Sequence, residues 1–221
     1  VFGYNAVGAP GNHLCSDFES MGYRIMLKNL ILLFSLIFSL SLELQAKDQV
    51  EGVQAAKSLD NFHQLLVEAM KASDGPIREQ LLRPQVVDFF DVPRISRISL
   101  GRTWKKLTIE QQLSFVEALS ELIAVTYADR FRSYDGQRFS IDESEIVKKG
   151  VIIKTTIFKG DSELAKLHYY FRDGRVFNVV ANGISDLSLR RAEYGSVIKE
   201  QGFDTLLEQI RNKISETRAS Y

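Results

Sequence analysis

The strongest constraint on the fold is a change in hydrophobic periodicity at Asp135-Gly136. Before this point apolar residues recur every three or four positions, as they do on helices, and after it they alternate with polar residues, as they do on strands. The short breaks between the alternating segments carry glycine and are typical of hairpin turns. The pattern therefore predicts an antiparallel meander of about four strands, at Arg138–Val147, Val151–Phe158, Glu163–Phe171 and Arg175–Asn182.

Helical patterns precede and follow the predicted strands. Thr108 and Gln111 form a capping box that begins the longest of them, and Pro84 predicts an end to a short helix before it. We expect helices over about residues 51–73, 77–82, 93–101, 109–132, 187–199 and 203–215. Helices, then a meander, then helices indicate an α+β fold, and not alternating βαβ units.

Residues 21–46 have the layout of a secretory signal peptide. Basic residues precede an apolar run, and the small residue Ala46 stands just before Lys47. The apolar run of about 13 residues is shorter than the roughly 20 that span a bilayer, which favours a cleaved signal over a retained membrane anchor. We therefore expect residues 1–20 to be an upstream extension, 21–46 a cleaved signal peptide, and 47–221 a single domain of an exported protein.

The predicted mature chain has few groups suited to catalysis or metal binding. It contains two histidines, His63 and His168, and neither has a second metal ligand at a suitable spacing. The one cysteine of the chain, Cys15, precedes the predicted signal peptide. The formal net charge is +0, which gives no basic excess for binding phosphates along a nucleic acid. We predict no catalytic residue, no metal or other cofactor, and no nucleic-acid partner.

Large apolar side chains are the most prominent feature that remains. They alternate on three of the predicted strands, and Phe89, Phe90, Trp104 and the long helix add to them. Together these side chains are enough to form more than one apolar layer in the folded protein. From the residues alone, a filled core and a core that holds an apolar ligand both stay open.

An ordered series of residues gives a more specific indication. It comprises Asp88-Phe89, Leu100-Gly101, Trp104, Gln111, Phe115, Leu122, Thr126-Tyr127, Tyr134, Val176-Phe177-Asn178-Val179, Gly183-Ile184-Ser185, Tyr194, Ile198, Gly202, Asp204 and Leu206-Leu207. From about Asp88 to Ile214 the chain resembles the MlaC family of periplasmic phospholipid-binding proteins, also called the toluene-tolerance auxiliary family. Three positions depart from the family pattern: Asn178 replaces the usual Asp, Gly174 stands where a Trp is usual, and Arg190 stands where an aromatic residue is common.

The resemblance implies a fold and a function. The implied fold is a curved antiparallel sheet wrapped by N- and C-terminal helices, cone-like and with an apolar cavity. The implied function is a carrier of glycerophospholipid that exchanges its ligand with an outer-membrane lipoprotein complex and an inner-membrane ABC transporter carrying an MCE-domain ring. In such a protein we expect Gly183 to let the chain turn at the sheet edge and Ser185 to cap the next helix.

The apolar positions are then expected to contact the lipid. We predict lipid contacts for Phe90, Leu100, Trp104, Phe115, Leu119, Leu122, Tyr127, Val151, Ile153, Tyr169, Phe171, Phe177 and Val179. A hopanoid or other isoprenoid lipid would also suit an apolar cavity, so that ligand class stays open. A small cone-fold enzyme such as an isomerase is a rival, but it needs a buried acid, which the sequence does not offer beside Tyr169. A purely structural envelope protein, with a filled core, is the third alternative.

Overall fold

The computed structural model describes residues 49–72 and 74–221. Within them, five antiparallel strands form one sheet, and helices precede and follow it. This confirms the predicted α+β class. The predicted extension at residues 1–20 and the predicted signal peptide at residues 21–46 lie outside the described residues.

The helices follow the predicted order. They are α1 (residues 49–71), α2 (Gly75–Phe89), α3 (Val92–Leu100), a short 3-10 helix (Thr103–Lys106), α4 (Ile109–Arg130), α5 (Asp186–Gln201) and α6 (Phe203–Ala219). The capping box is formed as expected: the Thr108 Oγ1 accepts from the backbone N–H of Gln111 at 3.2 Å, and the Gln111 side chain accepts from the backbone N–H of Thr108 at 3.0 Å.

Helix α2 corrects one prediction. Pro84 lies inside the helix, which continues to Phe89 and does not end at Leu82. A proline inside a helix costs about 3 kcal/mol because it removes a hydrogen bond and crowds the preceding turn. Here Leu82, Val86 and Phe89 are almost fully buried, and each such side chain contributes roughly 1.5–3 kcal/mol, so their burial outweighs the proline.

The sheet is a meander in which each strand pairs with the next along the chain. Its strands are β1 (Gln137–Val147), β2 (Gly150–Lys159), β3 (Ser162–Arg172), β4 (Arg175–Ala181) and β5 (Ile184–Ser185). The register shifts between Ile141 and Glu143, between Ile157 and Phe158, and between Tyr170 and Phe171. Such bulges bend strands and increase their twist. The first four strands were predicted, but β5 is too short for a periodicity and was not.

The turn that joins β1 to β2 requires glycine. Gly150 has φ +134, and a Cβ at this position would stand 2.0 Å from the carbonyl oxygen of Phe171 on β3. No side chain fits at that distance without a shift of the backbone. The close approach keeps the three strands in register at this end of the sheet.

Aromatic side chains join the first helices to the sheet. Phe62 of α1 stacks on Phe89 with ring centroids 4.1 Å apart, and His63 stacks on Phe139 of β1 at the same distance. The His63 Nε2 also lies 3.3 Å from the hydroxyl oxygen of Tyr169 on β3. These contacts fix one end of the interior between helices and sheet.

Two structural features are absent from residues 49–72 and 74–221. No helix there is long and apolar enough to cross a membrane. No group of three or more His, Cys, Asp or Glu side chains there could hold a metal ion.

Candidate ligand-binding cavity

A cavity of about 210 Å³ lies between the sheet and the helices. One side is formed by β2, β3 and β4 and the other by α3, α4 and α5. Its apolar lining includes Ile123, Ile157, Leu167, Val179, Ala181 and Leu187. An apolar cavity of about 150 Å³ already stays dry and binds a molecule such as benzene. This space is therefore large enough to hold a substantial apolar group.

Helix α4 supplies its wall from residues spaced four apart. Ile123, Tyr127 and Phe131 lie on one face of the helix because residues at i and i+4 are neighbours there. The rings of Tyr127 and Phe131 are stacked with centroids 5.7 Å apart, and Phe90 lies 5.6 Å from Tyr127. Aromatic pairs at these distances attract one another, so the side chains of this wall are restricted in their motion.

The sheet supplies its wall from cross-strand neighbours. Tyr169 on β3 pairs with Val179 on β4, and Leu167 pairs with Ala181. All four side chains line the cavity. Phe177 also lines it, at the place where the bulge in β3 and β4 changes the register. The period of two along the strands thus brings an apolar surface to the interior.

The titratable groups at the inner end are uncharged near neutral pH. Burial raises the pKa of the Tyr169 hydroxyl well above its usual value, with a smaller effect from Tyr127. Burial also raises the pKa of Tyr127, which lies nearer the mouth and is affected by the charges of Asp186, Arg130 and Arg190 as well. Burial lowers the pKa of His63 to about 4, so this imidazole is neutral at pH 7. Charge is therefore excluded from this end of the cavity, as an apolar ligand requires.

The junction between β4 and α5 is held by side-chain hydrogen bonds. The Asn178 Oδ1 accepts from the backbone N–H of Leu187 at 3.2 Å and from the Ser185 hydroxyl at 3.0 Å. The Ser185 Oγ in turn accepts from the backbone N–H of Ser188 at 3.2 Å and so caps α5. Gly183 has φ +83, a conformation that favours glycine. The expected turn at Gly183 and cap at Ser185 are confirmed.

Five polar side chains other than the two tyrosines also line the cavity. They are Thr126, Arg130, Asn178, Asp186 and Arg190. Arg130 is exposed and the Asp186 side chain is 48% exposed, so this part of the lining faces solvent. The cavity thus has an apolar interior and a polar mouth, which suits a ligand with a tail and a head group.

Residues 57–212 match the family model described as "MlaC protein". The chain belongs to the MlaC family. The match begins within α1, upstream of Asp88, and it ends within α6.

Two similar proteins extend this result. The chain is 24% identical over 172 residues to the intermembrane phospholipid transport system binding protein MlaC of Haemophilus influenzae, across 74% of this chain and 80% of the relative. It is also similar in structure to the phospholipid-binding protein from Ralstonia solanacearum, solved in complex with a phospholipid. That likeness has a TM-score of 0.64 at 17% identity, and it covers 76% of this chain and 98% of the other. The shared fold is therefore that of an MlaC-family protein.

Five of the thirteen predicted contact residues line the cavity, and eight do not. Phe90, Tyr127, Tyr169, Phe177 and Val179 line it. The remaining eight lie elsewhere in the fold: Leu100, Trp104, Phe115, Leu119, Leu122, Val151, Ile153 and Phe171. Whether any of the thirteen touches a ligand stays a prediction.

The eight residues lie elsewhere because the elements that carry them are longer than the cavity. The N-terminal half of α4 packs against the last helices: Phe115 lies 5.9 Å from Tyr194 and 6.1 Å from Phe203, measured between ring centroids. On the sheet, Val151 and Ile153 are 1% and 0% exposed within the filled core. Their side chains occupy space that a ligand would need.

Several lining residues were not predicted. Ile123 and Phe131 lie one turn to either side of Tyr127, and Ile157, Leu167 and Ala181 continue the alternation of their strands. These periodicities could have identified them. No periodicity marks the polar residues at the mouth, because their positions depend on how α4 and α5 meet.

Proposed function

We propose that this protein is a periplasmic carrier that binds a glycerophospholipid through an acyl chain in the cavity and moves it between the two membranes of a Gram-negative envelope. The observation that carries the proposal is the hollow, apolar interior with a polar mouth in a chain of the MlaC family. The name of the Haemophilus influenzae relative, an intermembrane phospholipid transport system binding protein, supports it.

The energetics of carrying a lipid through water support the same function. Each buried methylene group contributes roughly 0.8 kcal/mol, so one long acyl chain requires on the order of 10 kcal/mol of burial outside a membrane. A surface groove wetted on one side supplies only part of this. An enclosed cavity whose inner residues are neutral and apolar can replace most of the environment that the bilayer provides.

The volume of the cavity indicates how loading proceeds. Pockets for small ligands commonly measure about 300–1,000 Å³, and the present 210 Å³ is less than that. A diacyl lipid therefore has to widen the space between α5 and the sheet as it enters. A protein that alternates between a narrow and a wide packing takes up and releases its ligand by a shift between the two states.

The proposal includes partners on both membranes. The carrier would exchange lipid with an outer-membrane lipoprotein complex and with an inner-membrane ABC transporter that carries an MCE-domain ring, and so maintain the lipid asymmetry of the outer membrane. The signal-like sequence of residues 21–46 is in keeping with export to the compartment between them.

We further propose that the protein is not an enzyme. An isomerase of this general shape would need a base that reaches the ligand beside a hydroxyl such as that of Tyr169. The carboxylate that lines the cavity, Asp186, is paired with Arg190 at the solvent-facing mouth, and Tyr169 is hydrogen-bonded to the neutral His63. This arrangement binds polar and apolar groups, but it supplies no poised base at the inner end.

The direct test is the content of the purified protein. The full chain would be expressed in a Gram-negative host, and its exported form would be isolated from the periplasm and weighed by native mass spectrometry. We expect a bound mass that solvent extraction identifies as phospholipid. A bound polycyclic isoprenoid would favour the hopanoid alternative. A protein that is empty and also takes up no added phospholipid would contradict the proposal.

A further inference from the structure

The mouth of the cavity carries more positive than negative charge. Among the lining residues are two guanidinium groups, of Arg130 and Arg190, and one carboxylate, of Asp186. One positive charge is therefore uncompensated within this set.

Arg190 is held in place at this mouth. Its side chain is 14% exposed, its Nε donates to the Asp186 Oδ2 at 2.6 Å, and its Nη1 donates to the Tyr194 hydroxyl at 3.1 Å. Within residues 49–72 and 74–221, its Nη2 has no hydrogen-bond partner. An arginine fixed by two of its nitrogens keeps the third available at little entropic cost.

Arg130 lines the same cavity. It ends α4 and is exposed, and no ion pair involves it in the part of the chain that the structure describes. Burial is the largest cause that raises the pKa of the Tyr127 hydroxyl, the charge of Asp186 raises it further, and the charges of Arg130 and Arg190 both lower it. Both guanidinium groups are therefore within electrostatic reach of one atom at the cavity wall.

We propose that Arg190 and Arg130 form a subsite for the phosphodiester of the lipid whose acyl chain fills the cavity. The inference rests on the proposed function and deepens it by assigning the residues that bind the phosphate. A phosphodiester carries one negative charge, which matches the one uncompensated positive charge. A guanidinium nitrogen donates charge-assisted hydrogen bonds to phosphate oxygens, and these are roughly twice as strong as hydrogen bonds between neutral groups.

The test is a competition between two lipids that differ at the phosphate. The delipidated protein would be incubated with vesicles containing equal amounts of phosphatidylglycerol and of diacylglycerol with the same acyl chains, and the bound lipids would be counted by native mass spectrometry. We expect the wild-type protein to prefer the phospholipid. Arg190→Met replaces the guanidinium with an unbranched, uncharged side chain. It should lower the ratio of bound phospholipid to diacylglycerol by about tenfold.

Two further variants control the experiment. Arg191→Met makes the same chemical change one residue away, at an exposed arginine that does not line the cavity, and should leave the ratio unchanged. Arg130→Met removes the exposed guanidinium, and its loss cannot disturb the Asp186 and Tyr194 contacts of Arg190. It should lower the ratio by about threefold, because an exposed charge is partly screened. This variant decides the question if Arg190→Met does not fold.

Each remaining outcome decides between the proposals. A wild-type protein without preference, or folded variants at both arginines that keep the wild-type ratio, would overturn the subsite and leave the carrier function standing. Uptake of neither lipid by the wild-type protein would contradict the carrier function itself. Inorganic phosphate is a third ligand to try: if it alone raises the melting temperature while the two lipids bind equally, the site binds a free oxyanion and the subsite proposal is wrong.

Discussion

Filling the cavity from its sheet side should reduce lipid binding without unfolding the protein. Val179 lies on β4 opposite Tyr169, and its side chain lines the cavity. Val179→Trp adds about seven heavy atoms at this wall, and each ligand methylene that they displace loses roughly 0.8 kcal/mol of burial. Displacing about three methylenes would cost about 2.4 kcal/mol, or about fiftyfold in affinity.

The assay compares two variants that carry the same new side chain. Leu164→Trp places an indole on β3 at a side chain that is 50% exposed and does not line the cavity. Both variants would be loaded from phospholipid vesicles, and the bound lipid would be measured by native mass spectrometry after circular dichroism has shown that they are folded. Val179→Trp should lose most of its lipid and Leu164→Trp none. A folded Val179→Trp protein with the wild-type lipid content would refute the placement of the ligand in this cavity.

Three further predictions concern stability. Glu79 is 9% exposed, and hydrogen bonds from Arg218, at 3.0 and 2.6 Å, are the largest cause that lowers its pKa. A carboxyl group whose pKa is lowered by folding stabilises the folded protein at pH values above its ordinary pKa of 4.5. This stabilisation is lost as the pH falls through the lowered pKa of the folded state. The melting temperature should therefore fall below about pH 4.5 in the wild-type protein, and less steeply in Arg218→Met, whereas parallel curves would contradict the assignment. Gly150→Ala should cost about 3 kcal/mol in urea unfolding, because its Cβ meets the Phe171 carbonyl oxygen, and Gly160→Ala, with φ +57 and nothing within 4 Å, only about 1 kcal/mol. If the two alanine variants lose the same free energy of unfolding, the steric contact with Phe171 does not explain why residue 150 is a glycine. Asn178→Leu loses two hydrogen bonds and should cost about 1–3 kcal/mol, whereas Asn178→Asp keeps both acceptor roles and should stay closer to wild type in the same measurement; equal losses would show that the acceptor oxygen is not what matters.

Local interactions explain the parts of the fold that the sequence predicts well. The capping box of Thr108 and Gln111, the turn at Gly183 and the cap by Ser185 each involve residues within a few positions of one another. The predicted strand boundaries lie close to the observed ones for the same reason, since alternation and hairpin turns are local patterns. Such features can be recognised without knowledge of the tertiary structure.

Features that depend on distant contacts were missed. The helix through Pro84 persists because the residues after it are buried against other elements, and nothing near Pro84 in the sequence indicates that burial. The cavity is harder still to predict. Val151 and Val179 are equally apolar residues on strands of one sheet, but the first lies in filled core and the second beside a space, and only the packing of the helices distinguishes them.

The order of the strands has a consequence for how the protein folds. Because each strand pairs with the next one in sequence, the sheet contains mostly short-range contacts and can form early. The contact between His63 and Tyr169 instead spans 106 positions of the chain. During synthesis the apolar face of α1, with Leu59, Phe62 and Leu66, emerges before α2 and α4, whose Phe89 and Tyr127 contact Phe62. That helix face is then exposed to aggregation until α2 and α4 have folded onto it, and a chaperone that protects the nascent protein should bind it there.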